Sequence, residues 1–212
     1  MAADVRVLDE LRAAILRGEF APRQRLVEAE LCERFDASRF AVRAALQALE
    51  ADGLVERRRN IGARIREIGI DEAVEISEVR QVVEGLIARR AAERVSDAEA
   101  DELAAIGRQM HEAVAAGEVA EYSDLNARLH SSLRDIAGHG KANGIIAQLH
   151  GQMVRHQYAL SHVPGRSKVS VWQHQAIVDA VVARDGDAAE AAMRAHIASV
   201  IEALRASSST PA

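Results

Sequence analysis

The sequence predicts a mainly α protein, with an N-terminal winged helix-turn-helix that carries a small β-hairpin and a C-terminal antiparallel all-helical bundle. Three observations predict it. Between residues 4 and 51, short apolar repeats at helical spacing are broken by tight turns. From residue 54 to residue 68, the runs LVERRR and ARIREI flank an Asn60-Ile61-Gly62 turn, the pattern of a short hairpin. Beyond Ile68-Gly69-Ile70 no strand pattern appears, and Ala, Leu, Ile, Val, Glu and Arg recur at helical spacing to the end of the chain.

The elements follow in order. Leu8, Leu11 and Ile15 form the stripe of a first helix over residues 4–18, closed by Gly18, and Pro22 starts the connection onward. VEAELCERF places Leu31 and Phe35 at i, i+4 for a second short helix. Only Asp36 and Ala37 then separate it from Ser38, a good N-cap, so two short helices meet at a tight turn. In the helix after Ser38, Val42, Leu46 and Leu49 fall on one side and Arg39, Phe40, Arg43 and Gln47 on the other. Two orientations are open to Phe40: outward, where it meets a thymine methyl, or folded back on its own domain. Gly53 stops this helix, and the hairpin after it carries Arg57, Arg58 and Arg59 in succession.

The second part opens with Asp71 as cap of a helix to about Arg94 whose apolar residues are Val74, Val79, Val82, Val83, Leu86 and Ile87. Ser96 and Glu99 have capping-box form and start the next, with Leu103, Ile106, Met110 and Val114 on one face. Further helices fit residues 119–137, 141–161, 167–184 and 186–206, divided by Gly138–Gly140, Pro164-Gly165 and Asp185-Gly186-Asp187. The expected domains are therefore 1–69 and 70–206, with 207–212 as a disordered tail.

A chain of 212 residues, 49% of them hydrophobic, can bury two separate cores. No run approaches the roughly 20 apolar residues of a membrane span, and the N-terminus lacks a signal-peptide pattern, so a cytoplasmic protein without a membrane partner is expected. Cys32 is the one cysteine, which excludes an internal disulfide framework and reads as partly buried filler. The net charge of −5 hides an uneven distribution. Seven arginines face only Glu50, Asp52 and Glu56 within residues 39–66, whereas the part after residue 70 is acidic. A basic helix and turn beside an acidic body is the footprint of a chain that meets a polyanion.

The first half resembles the DNA-binding part of GntR-family transcription regulators. The resemblance rests on ILRGEFAPRQRLVEAELCERF, SRFAVRAALQALEADGLV and RRRNIGARI, in register over residues 15–65. It implies operator contacts at Ser38, Arg39, Phe40 and Arg43, and in the wing at Arg58, Arg59 and Gly62, with the wing tip in the minor groove. The departures are Arg23 where the family favours Gly, Phe40-Ala41 for Thr-Pro, and Ala45 for a common Glu.

Asn126 and His130 are i, i+4 on one helix, and His174 and His196 lie in the last two helical segments. Spacing alone leaves this set as ion ligands or as hydrogen-bonded core residues. NARLH at 126–130, WQHQAIVDAV at 172–181, GDAAEAAM at 186–193 and RAHI at 194–197 resemble the FCD ligand-binding domain of the FadR subfamily. That resemblance implies a divalent metal (Zn, Ni or Mn) on Asn126, His130, His174 and His196, with the metal holding a small carboxylate effector. Asn126 stands where the family carries Asp. Arg80, in RQVVE, matches an Arg-x-x-x-Glu pattern and suits an effector carboxylate, or else forms an i, i+4 surface pair with Glu84. His150, His156, Arg134 and Arg155 are less definitely placed, as pocket, core or surface residues.

The expected function is a non-enzymatic, ligand-responsive transcription regulator that binds a palindromic double-stranded DNA operator as a homodimer. A metal-responsive regulator and a metal-dependent hydrolase are the alternatives.

Overall fold

The computed structural model describes residues 2–58, 62–161, 163 and 165–207. Arg59, Asn60, Ile61 and Pro164, the tail after Ser207, and the side chains of Arg58 and Arg155 lie outside the described residues. The chain divides into two compact units: residues 1–69 with 150–155, and residues 70–149 with 156–212.

The first unit is built from α1 (Ala2–Leu16), β1 (Arg25–Leu26), α2 (Glu28–Arg34), α3 (Arg39–Ala51), β2 (Val55–Arg58) and β3 (Gly62–Ile65). Its core gathers Val7, Leu11, Ala14 and Ile15 of α1, Leu31 of α2, and Ala41, Val42, Ala45, Leu46 and Leu49 of α3. The α1 stripe is thus centred on Val7 and Leu11, and Leu8 lies at its edge, only partly buried. Between α2 and α3 the chain reverses through Asp36 at φ 44°, a left-handed residue that Asp tolerates better than most, and the Ala37 amide donates to the Cys32 carbonyl at 3.0 Å. Ser38 then caps α3, its Oγ accepting from the Ala41 amide at 3.1 Å.

The expected two-stranded hairpin is part of a three-stranded antiparallel sheet of order β1-β3-β2. In β2–β3, Val55 pairs with Ile65 and Arg58 with Gly62, while Arg25 and Leu26 of β1 cover the other edge of β3. A strand of two residues has no periodicity to read, which is why β1 escapes the sequence pattern. Arg23, just before β1, has φ 60°. The departure from glycine at this position therefore falls on a backbone conformation that glycine adopts without steric cost.

The second unit comprises α4 (Ile70–Arg94), α5 (Asp97–Ala116), α6 (Val119–Ala137), α7 (Gly140–Ser161), α8 (Arg166–Val182) and α9 (Gly186–Ser207). α4 packs on α9, α6 and α8, and α5 on α6 and α8. The Ser96–Glu99 capping box is present in both directions. Asp71 is not the cap of α4: the helix begins at Ile70, and Asp71 lies in its first turn, where a carboxylate still favours the helix dipole.

A larger correction concerns the apolar residues of α4. Val79, Val82 and Leu86 are 50%, 54% and 36% exposed, not core. Val74 and Ile87 are buried as expected, but the rest of the buried face carries Ile76 and mostly small or paired residues: Ala73, Ser77, Arg80, Glu84, Gly85, Ala88, Ala91 and Ala92. Small residues there allow close approach of α9: a Cβ at Gly85 would meet the Arg194 side chain at 2.9 Å. Large apolar residues mark burial only when the neighbouring helix leaves room for them.

Arg23→Gly relieves the left-handed backbone at the loss of an exposed ion pair to Glu67. We expect this substitution to stabilise the protein by up to about 1 kcal/mol, read as a higher denaturant midpoint. A lower midpoint contradicts the strain assigned to Arg23.

Candidate functional site

The first unit presents the exposed beginning of α3. The core residues Val42, Leu46 and Leu49 face inward, which turns Arg39, Phe40 and Arg43 to the surface. Phe40 is 74% exposed, so it points outward and does not fold back on its own domain. Among the described residues no carboxylate pairs with Arg39, whereas Arg43 Nε donates to Glu28 Oε2 at 2.8 Å. Both Arg43 and Glu28 are solvent-accessible, and such a surface pair contributes about 1 kcal/mol or less, so a phosphate can displace the carboxylate. Gly62 opens β3 at φ 92°, as a turn exit requires. The basic wing is partly committed: Arg57 lies 3.8 Å from Glu50, and Arg64 pairs with Glu56.

The second unit brings His130 of α6, His174 of α8 and His196 of α9 together. Their ring centroids lie 5.5 Å (130 to 174), 5.7 Å (130 to 196) and 4.3 Å (174 to 196) apart. One nitrogen from each lies within 4.8 Å of the others. His174 sits in the middle of α8.

The hydrogen bonds identify which nitrogen is available. His130 Nδ1 is 3.2 Å from Glu84 Oε2, and His196 Nδ1 is 3.2 Å from Gln173 Oε1. A carboxylate and an amide oxygen only accept, so both Nδ1 atoms carry the proton. His174 Nδ1 meets the Tyr122 hydroxyl at 3.1 Å, and its Nε2 is buried without a partner. The Tyr122 hydroxyl also engages Ser170, and burial pushes its pKa up to about 12. All three imidazoles are thereby held from behind at Nδ1; for His130 and His196 this leaves an Nε2 lone pair for a common ligand, and for His174 it does so when Nδ1 donates to the Tyr122 oxygen. Metal-binding histidines are typically oriented in this way.

Electrostatics point in the same direction. Burial, then the neighbouring histidines, hold His174 well below the ordinary histidine range. Burial and His130 bring His196 down to about 3. Both rings are neutral near pH 7, the state in which imidazole ligates. Asn126, one turn before His130, has a buried Oδ1 without a partner. Imidazole nitrogens and an amide oxygen are a donor set that fits a divalent transition metal.

Around the histidines lie two guanidiniums. Arg80 Nε donates to Glu84 Oε1 at 2.9 Å, in a pair whose side chains are 5% and 4% exposed. The surface alternative for this pair is therefore wrong. Arg80 Nη1 is buried and unpartnered, a donor left for an anion. Arg166 donates to Ser199 Oγ at 2.7 Å, is half-buried, and its charge acts on His174, His196 and Tyr122. Tyr122, Gln173 and Arg166 were not singled out by the sequence pattern. Tyr122 had a signal, since it precedes Asn126 and His130 by one and two helical turns. Gln173 and Arg166 had none.

Two sequence profiles match the chain: "Bacterial regulatory proteins, gntR family" over residues 4–65 and "FCD domain" over residues 75–199. The HTH-type transcriptional repressor RspR of Escherichia coli K12 is 31% identical over 196 residues, spanning 92% of this chain and 86% of that protein. The HTH-type transcriptional regulator LutR of Bacillus subtilis is 28% identical over 219 residues, spanning 90% and 95%. The galactonate operon transcriptional repressor of E. coli K12 is 29% identical over 226 residues, spanning 94% and 96%. Among solved structures, E. coli McbR/YncC superposes with a TM-score of 0.78 at 18% identity, covering 98% of this chain and 99% of that one, which is a likeness of fold. With an N-terminal gntR match, an FCD match over more than half its length and a repressor related along nearly its full extent, this chain belongs to the GntR family of DNA-binding transcriptional regulators.

Proposed function

We propose that residues 1–69 read an operator and that residues 70–206 sense a small organic acid which, together with a divalent metal, controls that reading. The observation that carries the second half is the convergence of His130, His174 and His196, each held at Nδ1, with His174 and His196 kept neutral by burial. His130, His174, His196 and Asn126 hold the metal in this reading, and Arg80 takes the carboxylate of the effector. The bound metal supplies a Lewis-acidic centre for an anionic oxygen. Glu84, the carboxylate whose charge acts on His174 and His196, is already engaged by Arg80 and His130, so it is not a spare general base for a hydrolase.

On the DNA side, the N-terminal turn of α3 carries the contacts. Ser38 and the first amides of the helix approach phosphate, Arg39 and Arg43 anchor the backbone, and exposed Phe40 meets a thymine methyl. Arg58, Arg59 and Gly62 extend the grip through the wing. One reading head of this size is small for selective binding, so two copies on a palindromic operator form the functional unit.

In a mobility-shift titration on DNA upstream of the protein's own gene, we expect Arg39→Ala and Arg43→Ala each to weaken binding roughly tenfold. Each should also lower the salt slope by about one. Unchanged binding in both variants refutes the assignment of α3.

The metal half is tested at Asn126. Three neutral imidazoles and an amide leave the metal's charge uncompensated, so an anion should strengthen its binding. By calorimetry, we expect Zn2+ to bind more tightly in the presence of citrate or galactonate than alone. Asn126→Asp should bind the metal at least about tenfold more tightly without acid, because a carboxylate replaces a neutral oxygen. Equal affinity in the two proteins counts against Asn126 as a ligand. Operator affinity that responds to metal alone identifies a metal-responsive regulator instead.

A further inference from the structure

The reversal between α2 and α3 is tied to α1 by one side chain that the sequence pattern did not single out. Arg6 Nη2 donates to two consecutive carbonyls of the turn, Phe35 O at 3.0 Å and Asp36 O at 3.1 Å. Its Nη1 donates to both carboxylate oxygens of Glu10, one helical turn further along α1, at 3.1 and 3.0 Å. The amides of the turn bond back into α2: Phe35 N to Leu31 O, Asp36 N to Glu33 O and Ala37 N to Cys32 O. Carbonyls at the end of a helix lack intrahelical donors, and Arg6 supplies donors here. Asp36 is the left-handed residue of the reversal, and Ser38, two residues on, caps α3. The turn therefore sets the direction in which α3 leaves it.

The bridge adds little to stability. The Arg6 and Glu10 side chains are 46% and 44% exposed, and a surface pair of this kind contributes about 1 kcal/mol or less. Val7 and Leu11 of α1, with Val42, Leu46 and Leu49 of α3, form the unit's core independently of it. What the guanidinium adds is geometry: a planar fork that engages one carboxylate and two carbonyls at once, which an ammonium cannot copy.

We propose that Arg6 is a positioning residue for DNA reading: anchored by Glu10, it holds the α2–α3 turn so that the exposed start of α3 meets base edges in one register. This rests on the reading of α3 given above, and Arg6 acts through Arg39, Phe40 and Arg43 rather than by touching DNA itself. Base contacts are short-ranged and directional, whereas attraction to phosphate falls off gradually with distance. Loosening the turn therefore costs selectivity before it costs general affinity for DNA.

A mobility-shift titration of the full chain compares the DNA upstream of the protein's own gene with a shuffled duplex of the same length and composition, over a range of salt. We expect Arg6→Ala to lower the ratio of the two affinities roughly tenfold, with the salt slope and the circular dichroism spectrum unchanged. Arg6→Lys, which keeps the charge, should leave the ratio low, and Glu10→Ala should lower it as well. A merely structural role would remove folded protein and weaken both duplexes alike, leaving the ratio where it was. An unchanged ratio in Arg6→Ala or Glu10→Ala, or its recovery in Arg6→Lys, overturns the proposal. A salt slope lowered by about one in Arg6→Ala also overturns it, by making Arg6 a phosphate contact. Arg39→Ala and Arg43→Ala in the same titration keep the two readings apart. If both leave binding untouched, the α3 reading falls and takes this inference with it; if they weaken binding while the ratio in Arg6→Ala is unchanged, this inference alone falls.

Discussion

Glu84 is the residue on which the second unit turns. A carboxylate that is nearly inaccessible to water costs several kcal/mol unless it is paired and fully hydrogen-bonded. Arg80, one turn earlier on the same helix, meets one oxygen, and His130 of α6 meets the other. The pairing thus ties α4 to α6 and at the same time fixes which nitrogen of His130 faces the centre. Everything else at the site follows that logic. Gln173 does for His196 what Glu84 does for His130, Tyr122 holds His174 at Nδ1, and the three rings are thereby constrained on their far sides. Removing any of these partners would free a ring to rotate and disperse the convergence of the three imidazoles.

The first unit depends on a different constraint, the reversal between α2 and α3. Asp36 in the left-handed region and the Ser38 cap bring the chain into α3 at an angle that buries Ala41, Val42, Ala45, Leu46 and Leu49. Ala41 and Ala45 stand where relatives favour Pro and Glu, and both are buried. They form part of the seat of α3, while Arg39, Phe40 and Arg43 face outward. The direction in which Phe40 points is a consequence of this packing, since five buried residues on the opposite side leave no space for an aromatic ring.

What was legible in the sequence were the features carried by local periodicity and capping: the Ser38 cap, the Ser96–Glu99 box, the α3 core stripe and the helical limits of α5 to α9. β1 was invisible because two residues hold no period. Val79, Val82 and Leu86 were misread because a pattern of large apolar residues says that a face avoids water without saying whose surface covers it. Much of the buried face of α4 is Ala, Gly and Ser with one ion pair, and only Val74, Ile76 and Ile87 on it are large and apolar. The three histidines could be named, and what oriented them could not, because Glu84, Tyr122 and Gln173 lie on different stretches of chain from the rings they hold. Such contacts are set by helix packing across the bundle, which one-dimensional spacing does not encode.

The charge arrangement at the histidine centre gives the site a direction of response. His174 and His196 are kept neutral by burial, Asn126 contributes no charge, and Glu84 is neutralised by Arg80. Arg166 adds a half-buried positive charge that raises the cost of any further cation. A divalent ion entering this environment alone meets no compensating anion within the ligand set. An acid entering alone meets Arg80 Nη1 and Arg166, but no group that can grip a second oxygen as strongly as a metal does. On the proposed reading each would improve the site for the other, and their binding would be reciprocal by linkage. A carboxylate at the position of Asn126 would remove that dependence, because the ion would then carry its own counter-charge and the acid would become optional. On the proposed two-ligand reading, the neutral amide makes the response conditional on both, so the site would report the acid only where metal is also present.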